Sequence, residues 1–128
     1  MKQSTTIEQS RQLSEILPIE TADMCLFPNN ELALDYRRQK EITDELNERR
    51  KRDGYKYYIE VFPAWSLSAL LNYLSHQYYV RLVHDGIAWC TRVTEHDKEH
   101  LWQSSESFDD PIDACVEMIV KLNEQKLI

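Results

Sequence analysis

The sequence predicts an α+β fold, in which helices cover a small antiparallel β-sheet of three to four strands. Three observations predict it. Asp110 to Leu122 has the start and the apolar face of a buried C-terminal helix, Asp85-Gly86 joins two alternating apolar runs as in a hairpin, and residues 55–62 alternate like a strand. A chain of 128 residues with 42% hydrophobic side chains is expected to form a single domain over 1–128.

The N-terminal part is expected to begin with a short helix. Thr5 or Thr6 can cap its start, apolar residues recur to about Leu17, and Pro18 ends it because proline cannot continue a helix. Residues 19–24 are expected to add a further helical turn. An apolar patch over residues 25–27 then leads into a turn.

Residues 31–52 are the longest helix candidate. Glu45 and Arg49 form a favourably spaced ion pair, and Gly54 suits the left-handed position just after a helix. Seven acidic and seven basic residues cancel between positions 31 and 53. The apolar stripe is thin and consists of Leu32, Tyr36, Ile42 and Leu46. We therefore predict a charged helical insertion over 31–54, either on the surface or in an oligomer contact.

The predicted sheet contains residues 55–62, 78–83, 87–93 and 101–105. Pro63 is expected to end the first strand, and residues 94–100 to form a polar loop before the last. Between the first two strands, Ser66 begins a helix to about residue 75, with leucines at helical spacing. This helix and the C-terminal helix are expected to cover one face of the sheet, with the N-terminal helix nearby.

Composition limits the classes of function and location. A formal net charge of −7 disfavours binding to nucleic acid or to an anionic membrane. The three widely spaced cysteines form no disulfide framework, residues 1–8 lack the apolar run that is typical of a signal peptide, and no apolar run approaches about 20 residues. We predict a cytoplasmic protein without a membrane span.

One short string resembles a catalytic motif. His96-Asp97-Lys98-Glu99-His100 fits the H-x-x-E-H pattern of inverted zinc proteases, in which two histidines bind zinc and the glutamate acts as a general base. Here the string falls in a predicted loop, without the helix that the motif requires. We therefore expect no metal, no cofactor and no catalytic residue. The nearest metal candidates are His96, His100 and Cys90, and a small metal-dependent hydrolase is the remote alternative.

The thirteen aromatic residues exceed what one small core usually hides, so some are expected at an interface. The candidates for that interaction surface are Tyr58, Trp65 and Tyr79. A basic run at 49–52 is better explained by its place at a helix C-terminus than by nucleic acid. We predict a non-enzymatic protein-interaction module that binds a protein partner or itself, with a homodimer as one form. A nucleic-acid-binding accessory protein is the alternative.

Three segments carry a resemblance to a known group: TIEQSRQL with LPIETADM, PAWSLSALL, and DPIDACVEMIVKL. In this order they resemble small bacterial proteins of prophages and other mobile elements, a group without an established activity. A looser similarity, in element order and a few positions, is to the phage ABA sandwich domain. The resemblance implies helices packed on a small antiparallel sheet and an accessory role in a mobile element. It supplies no site residues.

Overall fold

The computed structural model describes residues 2–95 and 98–128, and it describes side chains throughout these ranges except at 98–103. Helices and strands are interspersed along this part of the chain. Their order is α1 (Ile7–Ser14), a 3₁₀ turn (Ile19–Thr21), β1 (Met24–Leu26), β2 (Leu32–Leu34), α2 (Tyr36–Arg52), β3 (Phe62–Ala64), α3 (Leu67–Ser75), β4 (Tyr78–His84), β5 (Trp89–Glu95), β6 (Lys98–Ser104) and α4 (Pro111–Glu124).

The described strands form two antiparallel sheets, with orders β2-β1-β3 and β4-β5-β6. The α+β class is therefore confirmed, with two three-stranded sheets in place of the single sheet that was expected. Helices α3 and α4 pack together, α3 against β4 and α4 against β5, and α1 contacts α4 and β3. The expectation that α3 and α4 cover one face of a sheet is therefore confirmed for the sheet β4-β5-β6.

The prediction of a strand over residues 55–62 is wrong. Most of this segment has no regular structure and runs back along α2, where the Asn47 side chain holds the Ile59 backbone through two hydrogen bonds of 2.8 Å. The strand that follows, β3, begins at Phe62 and contains Pro63 opposite Cys25. A proline is tolerated there because β3 lies at the edge of its sheet, where a missing N–H breaks no ladder.

Helix α2 begins at Tyr36, five residues later than residue 31. Leu32–Leu34 pairs with β1 instead, and Asp35 then turns the chain with φ 62° while its carboxylate accepts the Arg38 N–H. The end of α2 was predicted correctly, since Gly54 has φ 82° just beyond Arg52. Residues 32–34 therefore form a strand and not the first turn of α2, because β1 lies beside them and pairs with them.

The local signals for the other elements are confirmed, with shifted bounds. Thr6 caps α1 in a capping box with Gln9, and α1 ends at Ser14 instead of Leu17. Ser66 caps α3, and Asp110 caps α4 with proline in the first turn. The hairpin turn spans residues 85–88, so β5 begins at Trp89 and not at residue 87. The expected polar loop at 94–100 shortens, because β5 extends to Glu95 and β6 begins at Lys98.

The main core lies between α4, α3, α1 and the covered face of β4 and β5. Its fully or nearly fully buried side chains are Leu13, Leu17, Trp65, Leu70, Leu74, Tyr78, Val93, Ile112, Cys115, Val116, Met118, Ile119 and Leu122.

Candidate interaction surface

Strands β4 and β5 place alternate side chains on two faces. Tyr78, Thr91 and Val93 are buried on the face that α3 and α4 cover, and the Thr91 hydroxyl lies 3.5 Å from the Cys115 sulfur. The side chains between them lie on the opposite face, which we call the open face; its residues are Tyr79, Arg81, Val83, Cys90, Arg92 and Thr94. Since the helices pack on the other side, both arginines and the tyrosine of the open face are exposed to solvent.

Two arginines lie directly opposite each other on the open face. The register of β4 and β5 pairs Arg81 with Arg92, and like charges in directly opposite positions destabilise a sheet. Lys2–Asp113, Lys40–Asp44 and Arg49–Glu45 are ion pairs among the side chains that the structure describes, and none of them involves these two guanidinium groups. A chain of net charge −7 therefore presents a local positive patch that its described carboxylates do not neutralise.

Tyr79 adds an aromatic ring to this patch. Its side chain is 64% exposed, and it sits two residues before Arg81 on the same strand and face, opposite Thr94. Tyrosine and arginine are enriched among the residues that contribute most to protein–protein binding. Tyr79 was singled out from the sequence, whereas the two arginines were not. Each arginine lies four residues from the turn at 85–88, so the two become cross-strand neighbours once the bounds of that turn are known.

Trp65 does not belong to any surface of the described chain, because its side chain is 0% exposed. Its indole N–H donates to the Thr21 hydroxyl at 2.9 Å, and its backbone N–H donates to the Thr5 hydroxyl at 3.1 Å. The Thr5 hydroxyl also bonds to Ser10. These bonds join the N-terminus, the 3₁₀ turn and the start of α3. The expectation of Trp65 at an interaction surface is therefore corrected to a core position whose polar atom is satisfied.

Tyr58 is 50% exposed but lies in the segment that α2 holds, not on the sheet that carries Tyr79. The basic run at the end of α2 is partly engaged in the same region. Arg49 pairs with Glu45 at 3.6 Å, and the Arg50 guanidinium stacks 5.4 Å from the centre of the Tyr55 ring. Tyr58 and Tyr79 therefore belong to different parts of the surface.

Of the three metal candidates, the described part of the chain includes the side chain of Cys90. His96 lies outside the described residues, and so does the side chain of His100. Cys90 is half-buried on the open face, with its sulfur 3.9 Å from the Ser104 hydroxyl. Among the described residues, no group of three or more histidine, cysteine or acidic side chains could hold a metal ion.

The buried cysteines have the electrostatics of core residues. Burial raises the pKa of the Cys115 thiol to about 11, although a hydrogen bond with Thr91 partly offsets this. Burial also raises the pKa of Cys25. A thiol with a raised pKa stays protonated near neutral pH, whereas the thiolate is the reactive nucleophile and metal ligand.

A groove of about 800 Å³ lies between the 3₁₀ turn and α3. Several of its polar groups already have partners within the fold. The Thr21 hydroxyl accepts the Trp65 indole, the Asp23 carboxylate accepts the Ser66 N–H at 2.9 Å, and His76 Nδ1 lies 2.7 Å from the Asn72 carbonyl. These bonds hold the start and end of α3, so the groove offers a weaker candidate site than the open face.

No family model, no curated protein and no solved structure matches this chain. None of the helices in the described ranges has the length and apolar character needed to cross a membrane.

Proposed function

We propose that this chain is a non-enzymatic protein-interaction module whose open face binds an acidic segment of a partner protein. The observation that carries the proposal is the exposed pair of opposed arginines, Arg81 and Arg92, beside the exposed ring of Tyr79. The proposal includes a cytoplasmic setting, supported by three free cysteines, and an accessory role in a bacterial mobile element, supported by the sequence resemblance.

The chemistry of the open face favours carboxylates as ligands. A guanidinium group presents a planar set of N–H donors that matches a carboxylate, and such charge-assisted bonds are stronger than neutral ones. Side chains directly opposite each other on a sheet have Cβ atoms about 4.5–5.5 Å apart, so one acidic segment can contact both arginines. Binding would also remove the repulsion between the two cations, and that relief adds to the affinity.

The test uses a fluorescein-labelled peptide of alternating glutamate and glycine as an acidic probe, with binding followed by anisotropy. We expect Arg92→Glu to weaken binding at least tenfold and Arg92→Lys to weaken it less, because lysine keeps the charge without the planar fork. Arg49→Glu, at an exposed position on α2, is the matched control for charge and should leave binding nearly unchanged. Equal losses in Arg92→Glu and Arg49→Glu would show general charge attraction and would refute the site.

Binding of single-stranded nucleic acid is the second candidate. The exposed ring of Tyr79 beside the guanidinium groups of Arg81 and Arg92 supports base stacking together with phosphate contact. The net charge of −7 opposes it at long range. The test uses a labelled oligothymidylate of about 20 nucleotides at low salt. Nucleic acid replaces the protein partner if this probe binds, if Tyr79→Ala and Arg92→Glu abolish its binding, and if the acidic peptide does not bind.

A metal-dependent hydrolase centred on His96, Glu99 and His100 stays a remote prediction from the sequence. Its test is the zinc content of protein purified without chelator. Less than one zinc per ten chains would remove it.

A further inference from the structure

Strand β4 is a free edge of the sheet β4-β5-β6, and no other described strand pairs with it. It is seven residues long, from Tyr78 to His84, and reads YYVRLVH. Edge strands are usually protected from pairing with another chain by charged side chains, prolines, bulges or a covering element. Strand β4 carries no proline or lysine, and its register with β5 is uninterrupted. Arg81 is its one arginine, so the protection of this edge depends on where that charge would lie in a paired strand.

The hydrogen bonds of β5 establish which backbone groups of β4 point outward. On the side of β6, Trp89 bonds to Phe108 and Thr91 bonds to Ser105. The alternate residues Cys90, Arg92 and Thr94 therefore bond toward β4. Their β4 partners are Tyr79, Arg81 and Val83, opposite Thr94, Arg92 and Cys90. By alternation, the N–H and C=O groups of Tyr78, Val80 and Leu82 point away from the sheet. These groups are available to a further strand.

An apolar groove runs beside this edge. A volume of about 490 Å³ lies between α3 and β4, lined by Leu71, Asn72 and Ser75 on the helix and by Val80 and Leu82 on the strand. The three aliphatic side chains are only half-buried although they pack against the main core. A strand added to β4 would cover them.

We propose that β4 pairs with β4 of a second copy of this chain, antiparallel and about a two-fold axis at Val80, to make a continuous six-stranded sheet. The pairing satisfies the outward groups of Tyr78, Val80 and Leu82 on both copies. An isologous contact of this kind presents the same groove residues from each side, so both sets of aliphatic side chains lose exposure together. The open faces of the two copies then form one surface.

Charge determines the register. An axis at Arg81 would also satisfy the outward groups, but it would place Arg81 opposite Arg81 of the second copy, beside Arg92 of each. An axis at Val80 instead places Tyr79 opposite Arg81 of the second copy. A cation over an aromatic ring is attractive, whereas two opposed cations repel each other. The choice of a second copy thus rests on this self-complementary order of tyrosine and arginine. It is independent of what the open face binds.

The experiment compares two single-cysteine additions on one face of β4, Val80→Cys and Leu82→Cys, under mild oxidation, because both leave Tyr79 and Arg81 in place. In the proposed register the two Val80 Cα atoms lie about 5.5 Å apart, within the 4.4–6.8 Å range of disulfides. The two Leu82 positions are then displaced by four residues along the strands, at about 13 Å or more. We expect Val80→Cys to form a covalent dimer at least ten times faster than Leu82→Cys, and faster than the wild-type chain with its own three cysteines.

Light scattering on the wild-type protein supplies a second measurement that needs no substitution. We expect a mass of twice 15.3 kDa at about 100 μM. A monomeric mass would refute the dimer, and equal cross-linking rates of Val80→Cys and Leu82→Cys would refute the register. Both readouts are separate from peptide binding by Arg92, so the dimer and the acidic-partner proposal fail or succeed independently.

Discussion

The two longest helices of the described chain attach to the protein in opposite ways. Helix α4 has eight buried residues in 14, nearly all of them apolar, and it lies between α3 and β5. Helix α2 is longer, with 17 residues, but only Thr43 is buried. One helix is held by hydrophobic packing, and the other by a few polar contacts. Helix α2 is rich in residues of high helical propensity, so it packs against the rest of the protein with little buried surface.

The side of α2 that lies against the protein is mostly polar. Thr43 is buried there, Asn47 bonds to the Ile59 backbone, and Arg50 stacks on Tyr55. The apolar residues Ile42 and Leu46 are 43% and 39% exposed. The thin apolar stripe of α2 is thus partly on the surface. Four experiments test this contrast, and they are arranged from the largest expected effect to the smallest.

Removing a core side chain from α4 should have the largest effect. Ile119 is 0% exposed, so Ile119→Ala loses its burial energy and leaves a cavity, at a cost of about 2–5 kcal/mol in the free energy of unfolding. The control is Ile42→Ala on α2, where we expect a change within about 0.5 kcal/mol. Urea denaturation measures both. Similar losses at the two positions would mean that α2 buries its apolar stripe after all.

Alkaline pH should destabilise the protein through Cys115 of α4. The pKa of this thiol is about 11 in the folded chain, against an ordinary value of 9.0, because the side chain is buried. Between these values the unfolded chain releases a proton that the folded chain keeps, so stability falls as pH rises from about 9 to about 11, by about 2–3 kcal/mol. Below pH 9 this group contributes no pH dependence.

Cys115→Ala provides the control for that decline. The variant lacks the thiol, so the difference in stability between it and the wild type should shrink over pH 9–11 in thermal unfolding. A constant difference across this window would show that Cys115 titrates equally in both states.

The N-terminal caps of α4 and α2 should contribute different amounts to the free energy of unfolding. Asp110 is buried, and its carboxylate accepts the N–H groups of Ile112 at 2.9 Å and Lys2 at 2.6 Å. Asp110→Ala should cost about 1–2 kcal/mol. Asp35 is exposed and has φ 62°, so Asp35→Gly loses the cap of α2 but relaxes the backbone, and should change stability by about 0.5 kcal/mol or less. Chemical denaturation distinguishes them, and a larger loss at Asp35 would reverse the contrast.

The smallest global effect is expected at Asn47. Asn47→Ala removes two hydrogen bonds to Ile59, at a cost of about 1 kcal/mol or less in global stability. The local effect should be clearer, because the Ile59 amide loses its acceptor and should exchange with deuterium at least tenfold faster. Glu48→Ala, at the neighbouring exposed position, is the control. Unchanged exchange at Ile59 would mean that other contacts hold the segment.

Local signals predicted the elements whose causes lie within a few residues. Thr6 and Ser66 begin helices, Asp110 with Pro111 begins another, and Asp85-Gly86 makes a turn, because each cap or turn closes a hydrogen bond over two or three positions. The alternation at 55–62 misled because it predicts a two-sided segment without saying whether a neighbouring strand exists. There, side chains of α2 took the place of that strand.

The candidate surface was predictable only in part. Tyr79 was expected at a surface from its aromatic character, and so was Trp65, yet one is exposed and the other is fully buried. The opposition of Arg81 and Arg92 depends on the register of two strands. Side-chain type does not distinguish these outcomes, because tyrosine and tryptophan suit both cores and interfaces.

By itself, the sequence determined the α+β class, the caps, the hairpin and the buried face of the C-terminal helix, because capping, turn geometry and apolar spacing act between near neighbours in the chain. Only the tertiary structure decided which alternating segments became strands, that Trp65 is buried in the core with hydrogen bonds to Thr5 and Thr21, and that two arginines share an open face. These outcomes depend on contacts between residues far apart in sequence, and local pattern carries no information about which distant segment will be adjacent.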